Sequence, residues 1–253
     1  MSSTTNRGHA LITGAIGGLG TAMTKMMIDQ GIPVIGCDRK ADELDAWRAR
    51  ELTEEQSKLV TLFPLDITKE EHVAEFATEL EQRGIHIAYL INNAGIQGPG
   101  KAWEMDTKTW DRVVKVNMYG TFFLCRAFTK QMVDAGFGRI LNFASLAAYD
   151  PPRDWGSYAA AKAGVLGYTR SLALDLARYA ITVNVIVPGL IMHEGLRGTI
   201  PDKFFENMAK EIPMKRTGKP EEIAAAAGFF MSEGSSFVTG QTMHVNGGMF
   251  LPG

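Results

Sequence analysis

The chain has 253 residues, 45% of them apolar, enough for a sizeable core in one large α/β domain or two smaller ones. Its formal charge of −2 excludes the broad basic surface that nucleic acid or anionic lipid requires, so neither a nucleic-acid nor a membrane partner is expected. No apolar run is long enough to span a bilayer, no signal peptide is legible at the start, and Cys37 and Cys125 lie in apolar stretches as buried free thiols would; the expectation is a cytoplasmic protein.

Strand-like and helix-like segments alternate along the chain. Residues 9–13 read as a strand, followed by a glycine turn and a helix over 18–30. A second strand over 32–37 leads into a polar crossover read as one helix over 41–57. A third strand spans 59–65, and the helix over 68–82 carries acids in its first turn. A fourth strand, 87–91, is followed by a Gly/Pro loop and a long helix over 107–134 with Asp106 as its N-cap. Strands over 139–144 and 181–187 flank a helix over 156–179. The stretch 188–218 is irregular apart from a short helix over 201–210. Pro220 opens another helix as a first-turn proline, with Glu221 and Glu222 behind it. The last strand is 241–246. This alternation predicts an α/β fold: a doubly wound, mostly parallel seven-stranded sheet with helices on both faces. There is no low-complexity linker and no repeat, so one domain spans 1–253, with a cofactor half over about 1–145 and a catalytic and substrate-loop half over about 146–253.

Gly14, Gly18 and Gly20 follow the first strand and open the first helix. They permit a tight turn and a close backbone approach to a pyrophosphate, for which the helix N-terminus supplies N–H donors. The spacing is Gly-x-x-x-Gly-x-Gly, not the commoner Gly-x-Gly-x-x-Gly. Asp38 ends the second strand, where a carboxylate accepts from an adenosine ribose and repels a 2′-phosphate. Arg39 beside it is able to pair with such a phosphate, but the glycine turn offers only Ala15 and Ile16 where a second basic residue would help. NAD is therefore expected rather than NADP.

Tyr158 and Lys162 stand four residues apart, on one helix face, and Ser145 lies thirteen residues upstream of the tyrosine. A free phenol titrates near ~10 and is a poor base at neutral pH, and a lysine ammonium one turn away lowers that value. Such a group with a nearby serine can move a proton to or from an alcohol oxygen.

Together these residues resemble the short-chain dehydrogenase/reductase family over about 10–248. The motifs that carry the resemblance are Thr13-Gly14-x-x-x-Gly18-x-Gly20, Asp66, Asn92-Asn93-Ala94-Gly95, Asn117, Ser145, Tyr158-x-x-x-Lys162 and Pro188-Gly189. Arg216-x-Gly218-x-Pro220-Glu-Glu222, Thr239-Gly-Gln241 and Val245-x-Gly247-Gly248 also match. The resemblance implies an extended Rossmann domain, a homotetramer, and NAD(H) or NADP(H) as cofactor. It makes Tyr158 the acid/base, Ser145 the holder of the substrate oxygen, and Lys162 the residue that bonds the nicotinamide ribose and depresses the tyrosine pKa. Asn117 would kink the long helix so that its carbonyl holds a relay water to Lys162. Asp66 would contact the adenine, and Asn93 would support the fourth strand. The implied cofactor shell is Gly14, Ile16, Gly17, Gly18, Leu19, Gly20, Asp38, Asp66, Ile67, Asn93, Ala94, Gly95, Tyr158, Lys162, Pro188, Gly189 and Ile191. His193 stands where relatives carry a threonine that holds the nicotinamide carboxamide and cofactor phosphates. Three roles are open to it: the same contact, a substrate contact, or a solvated loop position.

Substrate contacts are expected from Ile96, Leu146, Tyr149, Trp155, Met192, His193 and Phe205. Their apolar character suggests a medium-sized, mainly hydrophobic secondary alcohol or ketone. Arg153 is a candidate anion binder, with surface pairing to Asp150 or Asp154 as its competing role. No metal site is expected. The competing functions are an NADPH-dependent 3-oxoacyl-thioester reductase and a non-catalytic nucleotide-binding regulator.

Overall fold

The computed structural model describes residues 7–193 and 202–252, with side chains in the second stretch described from Asn207 onward. Seven strands form, β1 (His9–Thr13), β2 (Val34–Asp38), β3 (Val60–Pro64), β4 (Ile87–Asn92), β5 (Gly138–Phe143), β6 (Ile181–Pro188) and β7 (Thr242–Val245). They lie in one sheet in the order β3-β2-β1-β4-β5-β6-β7, and every pairing is parallel. The expected mostly parallel sheet is therefore parallel throughout, because a helical crossover returns the chain to the same end of the sheet each time.

Successive β1 side chains show how the two layers arise. Ala10 and Ile12 face a core shared with Met23 and Met27 of α1 (Gly18–Asp29), whereas Leu11 between them faces Phe76, Leu80 and Phe128 on the opposite side. Phe76 and Leu80 belong to one covering helix of that second layer.

Between β2 and β3 the expected single helix is broken. The chain forms a 3-10 turn (Ala41–Glu43), α2 (Leu44–Glu51) and one-turn α3 (Glu54–Ser57). Leu52 is extended, and Thr53 starts a new helix: its hydroxyl accepts from Gln56 N–H at 3.2 Å while Gln56 Oε1 accepts from Thr53 N–H at 3.1 Å. That reciprocal Thr-x-x-Gln cap is stronger than the pull to continue α2.

After β3, α4 (Glu70–Gln82) places Phe76 and Leu80 on the sheet, and β4 follows it. The long helix before β5 is α5 (Thr107–Val114), a π turn (Lys115–Tyr119) and α6 (Gly120–Ala135), capped by Asp106 accepting from Thr109 N–H at 2.7 Å. α7 (Gly156–Leu176) continues as a 3-10 turn to Tyr179, and α8 (Asp202–Glu211) and α9 (Pro220–Met231) precede β7. Glu222 accepts from Lys219 N–H at 2.8 Å, closing the Pro220 helix start.

β1 and β4 are neighbours although β2 and β3 intervene in sequence, so the chain leaves β1 and β4 toward opposite halves of the sheet and a crevice opens beyond their C-terminal ends. The glycine turn, Asp38, Asn93 to Gly95, Ser145 and Pro188-Gly189 all follow or end strands at that edge. Both cysteines are free and buried; burial raises the Cys37 thiol and pushes Cys125 up to about 12. No helix among the described residues is long and apolar enough to cross a membrane.

Candidate active site

Two strand ends are tied together at the crevice. Asn93 Nδ2 donates to the carbonyls of Thr13 (2.9 Å) and Gly14 (3.2 Å), while Thr13 Oγ1 accepts from the N–H groups of Asn93 (3.2 Å) and Ala94 (3.1 Å). Asn93, expected to support the fourth strand, ties the end of that strand to the glycine turn, and Thr13 is the other half of the clamp. Gly14 has φ +63°, and a Cβ there would meet Asn93 Nδ2 at 3.0 Å. Gly20 is more confined: its Cβ would lie 2.1 Å from the Gly14 carbonyl.

Gly17 is the N-cap of α1 and brings no side-chain cap, and the first turn holds no acid, leaving the N–H donors to an external anion. The cradle therefore fits a pyrophosphate. Ile16 and Leu19 are partly buried at its sides and Gly17 is exposed. Asp38 accepts from Lys40 N–H at 3.2 Å, and Asp66 Oδ1 accepts from Thr68 N–H (3.1 Å) and Oγ1 (2.7 Å). Ile67 is only 8% exposed and packs on Gly120 of α6, so it acts here as part of the core.

Gly95 joins the cofactor edge to the proton-transfer groups. A Cβ on it would meet Asn117 Oδ1 at 2.7 Å and Lys162 Nζ at 3.4 Å, so only glycine lets both side chains close around this chain segment. The π turn puts Asn117 here, fully buried. Its Nδ2 donates to the carbonyls of Ile96 (2.8 Å) and Val113 (2.9 Å), and its main-chain oxygen accepts from Thr121 Oγ1 at 3.1 Å. The carbonyl expected to hold a relay water thus already has one protein donor.

Ser145 caps a 3-10 turn (Leu146–Ala148), accepting from Ala147 N–H at 3.2 Å, and its hydroxyl also bonds the Tyr158 oxygen. Lys162 Nζ lies 5.6 Å from the Tyr158 ring centroid and donates to the Phe143 carbonyl at 2.8 Å. Burial lowers Lys162 to about 8. Tyr158 departs from the expected direction: burial raises its pKa, and the Ser145 hydrogen bond pulls it back only in part. The physical reason is that the ammonium is directed at Phe143 while the phenol sits in a poorly solvated site.

The remaining expected residues are dispersed around this centre. Gly189 approaches Asn246, where its Cβ would meet Asn246 Cα at 2.7 Å, and half-buried Pro188 ends β6. Ile191 is buried and bridges Gly218. His193 lies against Gly18, on the glycine-turn side of the crevice. Trp155 stands edge-on to Tyr158 with ring centroids 5.6 Å apart. Leu146 packs into a small core with Val165 and Leu166. Tyr149 stacks on His244 (4.9 Å) and Phe250 (5.2 Å), two C-terminal residues the sequence reading missed. Ile96 and Met192 are partly buried, and the side chain of Phe205 lies outside the described residues. Beyond Trp155 a cleft of about 890 Å³ is lined by Trp103, Trp110, Pro151 and Arg153; among the described residues Arg153 makes no ion pair with Asp150 or Asp154.

A buried polar chain beneath the site was also missed. Asn92 Nδ2 donates to Asn142 Oδ1 (2.8 Å), and Asn142 Nδ2 donates to Thr169 Oγ1 (2.9 Å), linking β4 and β5 to α7, which carries Tyr158 and Lys162. Its signal in the sequence is an asparagine at or next to the end of each of two apolar strands.

Comparison with known proteins agrees with this geometry. Residues 14–250 match the family model described as enoyl-(acyl carrier protein) reductase. The chain is 36% identical over 242 residues to a 3-oxoacyl-[acyl-carrier-protein] reductase of Buchnera aphidicola, covering 96% of this chain and 97% of the relative. It is 33% identical over 239 residues to an NAD-dependent glycerol dehydrogenase of Listeria innocua, covering 94% and 92%. A crystal structure from Agrobacterium tumefaciens, provisionally named a gluconate dehydrogenase, superposes with a TM-score of 0.89 at 30% identity, covering 96% and 97%. The clamped glycine turn, the Ser145–Tyr158–Lys162 group and these matches lead to one conclusion: the chain belongs to the short-chain dehydrogenase/reductase family and is an oxidoreductase that uses a nicotinamide cofactor.

Proposed function

We propose that the protein interconverts a secondary alcohol and a ketone with NAD(H), using Tyr158 as acid/base. The observation that carries this reading is the hydrogen bond between Ser145 and a half-buried Tyr158 one helical turn from Lys162, beside a glycine cradle able to take a pyrophosphate. The glycine turn with Asn93 to Gly95 would hold the dinucleotide, Asp38 its adenosine ribose, Asp66 its adenine and Lys162 its nicotinamide ribose. When bound, the nicotinamide accepts or supplies the hydride. In oxidation, Tyr158 takes the substrate hydroxyl proton; in reduction, it donates that proton to the developing alkoxide while Ser145 gives a second hydrogen bond. Lys162, buried and near neutrality in pKa, exchanges its proton readily at the inner end of this pair.

Asp38 supports NAD over NADP, and the Listeria relative is named NAD-dependent. A second reading, reduction of a 3-oxoacyl thioester, is favoured by the name of the Buchnera relative. Trp155 beside Tyr158 and the cleft behind it favour a substrate with an apolar portion. We also propose a homotetramer: Tyr119 at the end of the π turn, Phe122 on α6 and Leu174 on α7 leave apolar surface, 49%, 36% and 83% exposed, for helix pairing between copies. Light scattering that returned a monomer would contradict it.

The test of function is NAD(H)- and NADP(H)-linked turnover over cyclic, aliphatic and aryl ketones and alcohols, with a 3-oxoacyl thioester alongside. Turnover of ketones or alcohols that is lost in Tyr158→Phe supports the proposal. Activity confined to the thioester with NADPH overturns it in favour of the second reading.

A further inference from the structure

We propose that the cleft beyond Trp155 binds the far end of the substrate, and that this end is a planar aromatic group bearing a carboxylate held by Arg153. This rests on the alcohol–ketone reading and names the class of substrate within it.

Three of the four tryptophans of the chain, Trp103, Trp110 and Trp155, line this one cleft of about 890 Å³, a volume suited to a small organic ligand. Trp155 joins it to the proton-transfer groups, since the same ring stands edge-on to Tyr158 with centroids 5.6 Å apart. The walls of the cleft are tied together. Gly100 N–H donates to the Asp154 carbonyl at 2.7 Å, and the hydroxyl of fully buried Ser157 donates to the Gly98 carbonyl at 3.2 Å. Asp154 has φ +66°, a left-handed conformation that non-glycine residues hold only where their surroundings impose it. That turn brings both of its neighbours, Arg153 and Trp155, to the cleft. Trp103 is 80% exposed, yet its indole N–H donates to Glu104 at 3.2 Å, so a large apolar ring is held in place at the surface.

The charges at the cleft select the sign of the ligand. Lys101 is engaged with Glu104 at 3.1 Å and lies 5.8 Å from the Trp103 ring centroid, so the place a cationic ligand would take on that ring is already filled. Arg153 makes no ion pair among the described residues, which leaves one guanidinium for an incoming anion. Asp154, exposed at the next position, opposes a doubly charged group. A single carboxylate matches the planar fork of one arginine, whereas a phosphate would call for a second free cation. The part of the substrate between that carboxylate and a carbonyl at Tyr158 then lies among the tryptophans, where an aromatic ring gains from offset or edge-on packing.

Reduction of 4-acetylbenzoate and 6-acetyl-2-naphthoate by the full-length protein and NADH, measured against their neutral amides and simple ketones, tests this. Wild type should favour each acid over its amide by about tenfold or more in kcat/KM, chiefly through KM. Arg153→Gln should bring that ratio close to one. Trp103→Ala should lower kcat/KM for acid and amide alike by about 3–10-fold. Circular dichroism checks that both variants fold, and light scattering follows their assembly. A wild-type ratio near one, a ratio that survives Arg153→Gln, or turnover of simple ketones but of none of the acids and amides overturns this proposal alone. So does a Trp103→Ala variant that changes assembly and keeps wild-type turnover of acids and amides, which makes the cleft an interface between copies. No turnover of any ketone or alcohol overturns the proposed function and this inference with it.

Discussion

Lys162 Nζ lies 2.8 Å from the main-chain oxygen of Phe143, the last residue of β5, and that bond holds a buried amine on the sheet side of α7. Its pKa, lowered from 10.5 to about 8 by burial, means that the ligand-free fold bears the charged form at a cost. The unfolded chain binds more protons between those two values, so stability from this group rises with pH from about 8 toward 10.5 and is lowest below 8. Lys162→Met removes the buried charge and keeps the volume. Ligand-free Lys162→Met should be more stable than wild type at neutral pH by on the order of 1–3 kcal/mol, after the lost hydrogen bond is set against the relieved burial. The difference should shrink toward the alkaline end, and the variant should have no turnover. Urea midpoints that match wild type at neutral pH would count against it.

Burial and Ser145 act on Tyr158 in opposite directions, burial upward and the hydrogen bond downward. Tyr158→Phe should lower kcat by about 10²–10⁴-fold while NADH still binds, as read by NADH fluorescence. Ser145→Ala should move the acid limb of the oxidation profile to higher pH, because the proton-accepting form of Tyr158 loses its stabilising donor. A limb that stays in place would assign that ionisation to another group.

Asp38 ends β2 with one carboxylate oxygen on Lys40 N–H, and Arg39 next to it is exposed. Asp38→Ser removes the charge that opposes a 2′-phosphate and leaves Arg39 in place. The ratio of kcat/KM for NAD over NADP should fall at least about tenfold, equivalent to ~1.4 kcal/mol. An unchanged ratio would show that another residue discriminates.

Gly20 and Gly167 form a matched pair of tests. A Cβ on Gly20 would lie 2.1 Å from the Gly14 carbonyl, a backbone atom that moves only if the turn opens, whereas one on Gly167 meets nothing within 4 Å. Gly20→Ala should abolish dinucleotide binding and destabilise the fold by about 1–3 kcal/mol. Gly167→Ala should be neutral or stabilising by about 0.5–1 kcal/mol, the gain expected for alanine in a helix. Thermal melts with and without NADH separate the two effects.

Much of the architecture was legible locally. The Asp106 cap, the Pro220 helix start and the seven strands each carry their signal within a few residues. The broken crossover was legible too, through Thr53-x-x-Gln56, but the polar stretch around it reads as continuous helix when summed by propensity. The π turn was less accessible. It depends on Asn117 bonding Ile96, twenty-one residues away, and no local pattern contains that partner. Tyr149, read as a substrate residue, also stacks on His244 and Phe250, which only the closing of the sheet by β7 brings to it.

The sequence by itself determined the family, the alternating architecture, and the identity of Ser145, Tyr158, Lys162 and the glycine turn, because spacing on a strand or helix dictates which residues share an edge or a face. Tertiary structure decided how those groups behave. The direction of the Tyr158 shift depends on how much water the fold excludes from the phenol. The partner of Lys162 depends on where β5 ends beneath α7. The position of His193 against Gly18 depends on the bridge between Ile191 and Gly218, which joins segments that lie far from the glycine turn in sequence. Charge, burial and contact are properties of neighbours in space, and for these residues the neighbours come from other elements of the chain.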